Sequence, residues 1–231
     1  MKSGTKTLKF IIHHMELITM QNENNAFILF YVADPMCSWC WGFTPTIEAL
    51  RADDRVDLRY VMGGLARDSQ EPMPADMRSY VQGAWREVES RSGARFNWDF
   101  WQQCEPRRST YPACRAVLAA ANQGHGQEMF HRIQQAYYLE ARNPADSATF
   151  IALASDLDLD GERFAADLTA DAIEEALQED FHLRRRFQTT AFPSLVLQIK
   201  ETYRWLSRGW EESNTVLARL DEILHSTIAD E

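Results

Sequence analysis

Two thiols three positions apart, Cys37 and Cys40 in the stretch Cys37-Ser38-Trp39-Cys40, follow closely on the apolar run Phe27-Ile28-Leu29-Phe30-Tyr31-Val32-Ala33. A buried strand that turns into a helix here sets Cys37 at the helix start, where unpaired N–H groups and the positive end of the helix dipole stabilise a thiolate. Cys40 then lies one turn deeper and can resolve a mixed disulfide. The chemistry implied is thiol-disulfide exchange, with Cys37 as nucleophile and Cys40 as resolving thiol. The competing reading of a CxxC is half of a zinc site, which needs a second CxxC or a compact histidine pair. The other cysteines, Cys104 and Cys114, are ten positions apart, and His125 and His131 fall in a helical stretch whose surface they are expected to decorate. No metal is therefore expected.

Cys104 and Cys114 are either a second redox pair or small packing residues, with packing preferred. In one helix they would stand about 15 Å apart, beyond disulfide reach. Pro106 and Pro112 forbid such a helix, so both readings stay open. Trp39, between the catalytic candidates, reads as a substrate contact or as a lid over neighbouring structure. Asp34-Pro35 reads first as a turn that sets the helix entry. Arg184-Arg185-Arg186 reads as the cationic last turn of a helix, with an anion site as the lesser alternative.

The elements around the dithiol alternate in type. After the first strand, Ser38 to Ala52 has Phe43, Ile47 and Leu50 on one side, and Pro45 should kink that helix by removing the bond to the Trp41 carbonyl. A second strand, Val56 to Met62, ends at Gly63-Gly64 and implies a parallel pair with a right-handed crossover. From Glu71 to about Phe187 the signal is helical: Pro74 opens a helix through Val81, Trp85 and Val88, and Pro112 another through Val117, Leu118 and Ala121. Three further helices carry Met129 to Tyr137, Phe150 to Leu157, and Phe164 through Leu168 to Leu177, with breaks at Asn143-Pro144 and Asp160-Gly161. Strands return at Ser194–Ile199 and Thr202–Leu206, and Val216, Leu217, Leu220, Ile223 and Leu224 mark a final amphipathic helix. The division expected is a flexible leader over 1–25, an α/β part over 26–66, a helical insertion over 67–187 and a second α/β part over 188–231.

The 231 residues are 45% hydrophobic and carry 24 basic against 34 acidic side chains, a net charge of −10. Such a chain can bury a large core, and its charge argues against nucleic acid as a partner. The leader holds Lys2, Lys6 and Lys9 before Phe10-Ile11-Ile12, but His13, His14 and Glu16 interrupt the apolar stretch, so a secretory signal is not expected and Met20 is a second candidate start. No membrane span is read. A cytoplasmic location follows, where a CxxC is catalytic more often than structural.

The order of elements, with CxxC at the first helix, resembles the thioredoxin fold, and the insert resembles its DsbA-like branch. Pro45, five residues after Cys40, and Phe192-Pro193, directly before the third strand, fit that likeness. The resemblance implies an α/β, thioredoxin-like fold split by a large all-α helical insertion, with Pro193 a cis-proline facing the dithiol. Asp34 to Phe43 and Thr110-Tyr111-Pro112-Ala113-Cys114-Arg115-Ala116 look most like FrnE-type disulfide isomerases, which are similar to hydroxychromene-carboxylate isomerases and kappa-class glutathione transferases. The family often carries a buried acid six residues before the nucleophilic cysteine; here Tyr31 stands there, so no carboxylate relay is carried over.

Three functions follow in order. The first is a protein disulfide oxidoreductase or isomerase acting on protein or small-molecule thiols and disulfides. It has no cofactor, glutathione is a possible co-substrate, and Phe192 offers its backbone to an extended substrate because Pro193 has no N–H. The second is a glutathione-dependent isomerase or transferase for a small aromatic compound, which would not need Cys40. The third is a redox-regulated binding protein.

Overall fold

The computed structural model describes residues 27–229. The expected leader, with His13, His14 and Met20, lies outside the described residues. Strand β1 (Phe27–Ala33) runs beside β2 (Val56–Met62) in parallel, Phe27 opposite Val56 and Ala33 opposite Met62. On its other side β1 pairs antiparallel with β3 (Ser194–Ile199), which in turn pairs antiparallel with β4 (Thr202–Arg208). The sheet order is β2-β1-β3-β4. β1 is thus interior, and helices cover both its faces, which is why it reads as a continuous apolar run instead of an alternating one.

Alternation along β1 divides the core. Leu29, Tyr31 and Ala33 join the large cluster that also takes in Cys37, Cys40, Phe43, Ile47 and Leu50, whereas Phe30 and Val32 pack with Val61, Phe187 and Val196. Tyr31 therefore points to the side on which the dithiol lies. The final helix, α10 (Ser213–Ala229), packs on β4 and on the helix after the dithiol, burying Val216, Leu220 and Leu224.

That helix departs from a single kinked element. It is two pieces, α1 (Ser38–Trp41) and α2 (Thr44–Arg51), with Pro45 in the first turn of α2. The carbonyl of Trp41, which Pro45 cannot serve, accepts a 2.8 Å bond from the Thr44 hydroxyl instead. Gly42 sits at the break because its neighbour is close: a Cβ there would fall 2.7 Å from Ser92 Oγ and 2.8 Å from Val88 Cγ1.

Seven helices lie between β2 and β3: α3 (Ala75–Ser92), α4 (Phe100–Gln103), α5 (Tyr111–Ala121), α6 (Gly126–Tyr138), α7 (Ser147–Asp156), α8 (Gly161–Asp167) and α9 (Asp171–Arg186). The stretch read as one helix from Phe164 to Leu177 is broken between α8 and α9, where Ala170 is extended. α5 packs on α6 and α9, α9 reaches β2, and α3 reaches α1. Trp85 of α3, fully buried, centres an aromatic cluster with Phe96, Trp98, Phe100, Tyr137 and Tyr138, and Met36, Trp39 and Trp41 pack against that cluster. Among the described residues no helix is long and apolar enough to cross a membrane.

α9 joins the sheet through a polar contact: the backbone N–H of Met62, at the end of β2, donates 2.8 Å to the Asp180 carboxylate. Burial pushes the Asp180 pKa up from 3.8 to about 7, with Glu179 adding to the rise against the lowering by Met62. A carboxyl group raised in this way keeps its proton in the folded state at pH values where the unfolded chain has lost it. Its contribution to stability is full below about pH 4 and is lost as pH rises through about 7. Asp180→Asn, which still accepts from Met62, is expected to gain stability over the parent as pH rises from 4 to 7, by at most about 4 kcal/mol. Urea midpoints of both proteins across that window check this; parallel curves would refute it.

Candidate active site

Asp34 ends β1 and organises the turn into the dithiol. One carboxylate oxygen accepts from Met36 N at 2.8 Å, and the Asp34 carbonyl accepts from Cys37 N at 3.0 Å. The other carboxylate oxygen accepts from Leu65 N at 2.7 Å, the Thr110 hydroxyl at 2.6 Å and the Cys114 thiol at 3.6 Å. Burial raises the Asp34 pKa against the lowering influence of Leu65, Thr110, Met36 and Arg108. The expected turn is present, but the side chain does more than shape it. It fastens together the dithiol loop, the loop after β2 and the start of α5.

Cys37 occupies the N-cap of α1, 6% exposed, and its Sγ donates to the Phe192 carbonyl at 3.8 Å. The Phe192-Pro193 bond is cis, and the Pro193 carbonyl accepts from Gly209 N at 2.8 Å. Glycine is required opposite: a Cβ at Gly63 would come within 2.6 Å of the Phe192 ring. Arg184 lies across the same corner, its guanidinium 6.0 Å from the Phe192 ring centre and bonded to the Gly63 carbonyl. The basic last turn of α9 is as expected, and its first arginine braces the loop that carries Phe192.

Cys40 lies deeper, 1% exposed. Burial raises its pKa well above the ordinary thiol range, and its hydrogen bond to Cys37 and the charge interaction with Cys37 add to this. It therefore keeps its proton at neutral pH, and Cys37 is the less deeply buried of the two sulfurs. Tyr31, in the place of the missing acid, hydrogen-bonds the Cys40 sulfur; burial first, and Cys40 next, hold its hydroxyl protonated.

Trp39 is half-buried instead of freely presented. Its ring stands 5.8 Å from that of Trp210, and the Arg91 guanidinium lies 5.2 Å and 4.9 Å from the two ring centres. These contacts pack it against α3 and the loop that carries Trp210. Cys104 and Cys114 have separate surroundings: Cys104 donates to the Ala141 carbonyl at 3.1 Å, while Cys114 serves Asp34. All four cysteines are free thiols. The sequence reading missed His131 and Gln134, which reach from α6 to the underside of Cys40. Their helical spacing marks them only as residues sharing a face.

A family model described as thioredoxin matches residues 30–203. The ClpXP adapter protein SpxH of Bacillus subtilis (strain 168) is 26% identical over 171 residues, covering 72% of this chain and 56% of that protein. The chain spans about 56–60% of the length of the first curated relatives it matches. A solved structure of a proposed protein disulfide isomerase from Nitrosomonas europaea superposes with a TM-score of 0.76 at 26% identity, over 87% of this chain and 98% of that one. The cytosolic disulfide reductase DsbM from Pseudomonas aeruginosa, solved also with GSH, superposes with a TM-score of 0.73 at 26% identity, over 86% of this chain and 98% of its own. The match from Phe30 to Tyr203 takes in both parts of the sheet, the helices between them, the dithiol and the cis-proline, and the chain belongs to the thioredoxin family.

Proposed function

We propose that this protein is a DsbA-like disulfide oxidoreductase that works in the cytoplasm on protein or small-molecule disulfides, with glutathione as co-substrate and no bound cofactor. One observation carries the reading: an outer thiol at a helix start, Cys37, faces a backbone carbonyl before a cis-proline, while a protonated inner thiol, Cys40, lies in contact beneath it. The cytosolic disulfide reductase among its structural neighbours, also solved with GSH, supports both the reductive direction and glutathione as the thiol.

In the reductive direction the Cys37 thiolate attacks one sulfur of the substrate disulfide. A Cys37–substrate disulfide forms, and the first substrate sulfur leaves as thiolate and takes a proton. Cys40 loses its proton and attacks the Cys37 sulfur, releasing the second substrate sulfur. The Cys37–Cys40 disulfide now holds the oxidation, and two glutathione thiols return it to the dithiol while becoming one glutathione disulfide. An extended substrate would run along Phe192, whose backbone supplies the polar groups that Pro193 lacks, with Trp39, two residues after Cys37 and covered by Arg91, as a further contact. A glutathione-dependent isomerase of aromatic compounds would have no use for the inner thiol. The contact between Cys40 and Cys37 therefore favours dithiol exchange.

Cys37→Ala is expected to abolish reduction of insulin and of glutathione disulfide. Cys40→Ser should still attack glutathione disulfide once through Cys37, accumulating a glutathione adduct visible by intact mass, and should not turn over. Wild-type turnover by Cys40→Ser would exclude the dithiol mechanism. Gly63→Ala should push the Phe192 ring, and with it the carbonyl facing Cys37, out of place. Insulin reduction should fall by roughly tenfold or more, with alkylation of Cys37 by iodoacetamide little changed; an equal loss in both assays would contradict a substrate-positioning role for this corner.

A further inference from the structure

Dithiol exchange requires Cys40 to give up its proton before it attacks the mixed disulfide and to recover it in the reverse step. Its surroundings offer little to take that proton. The Asp34 carboxylate already accepts from Met36 N, Leu65 N, Thr110 and Cys114, so its lone pairs are engaged. On the other side, a cavity of about 30 Å³ adjoins Cys40, lined by Tyr31 of β1, Tyr60 of β2, Glu48 and Arg51 of α2, and His131 and Gln134 of α6. That volume has room for a water or two, and the lining is polar enough to hold them.

Two features mark the cavity as built for water. Gln134 is 1% exposed and its Nε2 has no hydrogen-bond partner, although the same side chain bonds the His131 ring. An amide donor buried without a partner is costly unless water serves it. His131 then leads outward: its side chain is 35% exposed, and its Nε2 lies 3.9 Å from the Glu48 carboxylate, itself 66% exposed. The cavity thus has the inner thiol at one end of its lining and the partly exposed His131 and Glu48 at the other.

We propose that water in this cavity carries the Cys40 proton to His131 and the solvent beside Glu48, while the Tyr31 hydroxyl donates to the Cys40 sulfur as it becomes thiolate. The inference rests on the dithiol reading above. The step balances: the S–H bond of Cys40 breaks, its proton passes through water to the His131 imidazole, and the electron pair left on sulfur forms the bond to Cys37 as the substrate thiolate departs. Burial lowers the His131 pKa, so the ring is neutral and passes the proton on to solvent instead of holding it; Glu48 opposes this shift and Arg51 adds to it. The remaining titratable neighbours are Cys37, Cys40 and Tyr60 around Tyr31, and Arg51, Glu128 and Glu48 around Tyr60.

The test is rapid mixing of the reduced enzyme with glutathione disulfide from about pH 5 to about pH 9, spanning histidine titration. It separates concentration-dependent attack by Cys37 from the concentration-independent plateau set by Cys40. Tyr31→Phe keeps the ring packing, and His131→Ala opens the surface end of the route. Each should lower the plateau about tenfold or more and leave the attack rate unchanged. His131→Ala should lose the plateau's dependence on pH on the acid side of neutrality, where burial places the ring's titration, and recover on addition of imidazole, which a merely structural loss would not do. If Cys40→Ser stops at the mixed disulfide while both variants resolve it at the parent rate at every pH, the proton route is wrong and the dithiol reading stands. If Cys40→Ser turns over like the parent, the dithiol reading falls and the route with it.

Discussion

The Asp34 carboxylate is the contact on which the site depends. A carboxylate taken out of water is tolerated only where its lone pairs are filled. Here the donors come from three separate parts of the chain: Met36 beside the dithiol, Leu65 after β2, and Thr110 and Cys114 at the head of α5. Because those groups must converge on one side chain, the helices between β2 and β3 cannot drift from the loop that holds Cys37. The aromatic cluster around Trp85 reinforces this from the other direction, since Met36, Trp39 and Trp41 on the dithiol segment pack against it and Trp41 stacks on Tyr138 at 5.7 Å. The helical segment is thus part of the wall of the site.

What the sequence made legible was whatever leaves a local mark. β1 could be read because burial on both faces demands an unbroken apolar run, Cys37 and Cys40 because two thiols at CxxC spacing suggest exchange from the residue types themselves, and Pro193 only through the family resemblance. Pro45 announced an interruption, although its strength depended on Gly42 meeting α3, a long-range contact no local pattern carries. The break between α8 and α9 escaped for a related reason. Phe164, Leu168, Ile173 and Leu177 keep helical spacing across it, and periodicity reports which face is apolar without reporting whether the axis continues. The leader, by contrast, is outside the described residues.

Asp34, His131 and Gln134 illustrate the harder limit. In sequence, Asp34 before Pro35 is a turn residue, and His131 on an amphipathic helix is surface decoration; both descriptions are accurate locally. Their roles arise only when α5 and α6 fold back over β1 and β2, bringing Thr110 to Asp34 and Gln134 to the underside of Cys40. Tyr31 was legible as a departure, an unexpected residue in a known place, but its meaning required the neighbours.

The two thiols consequently live in different media. Cys37 meets the Phe192 carbonyl, where a substrate backbone would run, and Cys40 meets the Tyr31 hydroxyl and a polar cavity. Thiol exchange is quick when the departing sulfur is a stable thiolate and slow when it is not. Cys40, with its pKa raised by burial, is a poor leaving group when an external thiol opens the disulfide and a reluctant nucleophile when it must close one. In both directions the barrier shares one component, the proton on a single buried sulfur. Since α1 is only four residues long, its contribution to the dipole at Cys37 is small. The balance between the two thiols is therefore governed more from beneath, by what surrounds Cys40, than from the helix that carries them both.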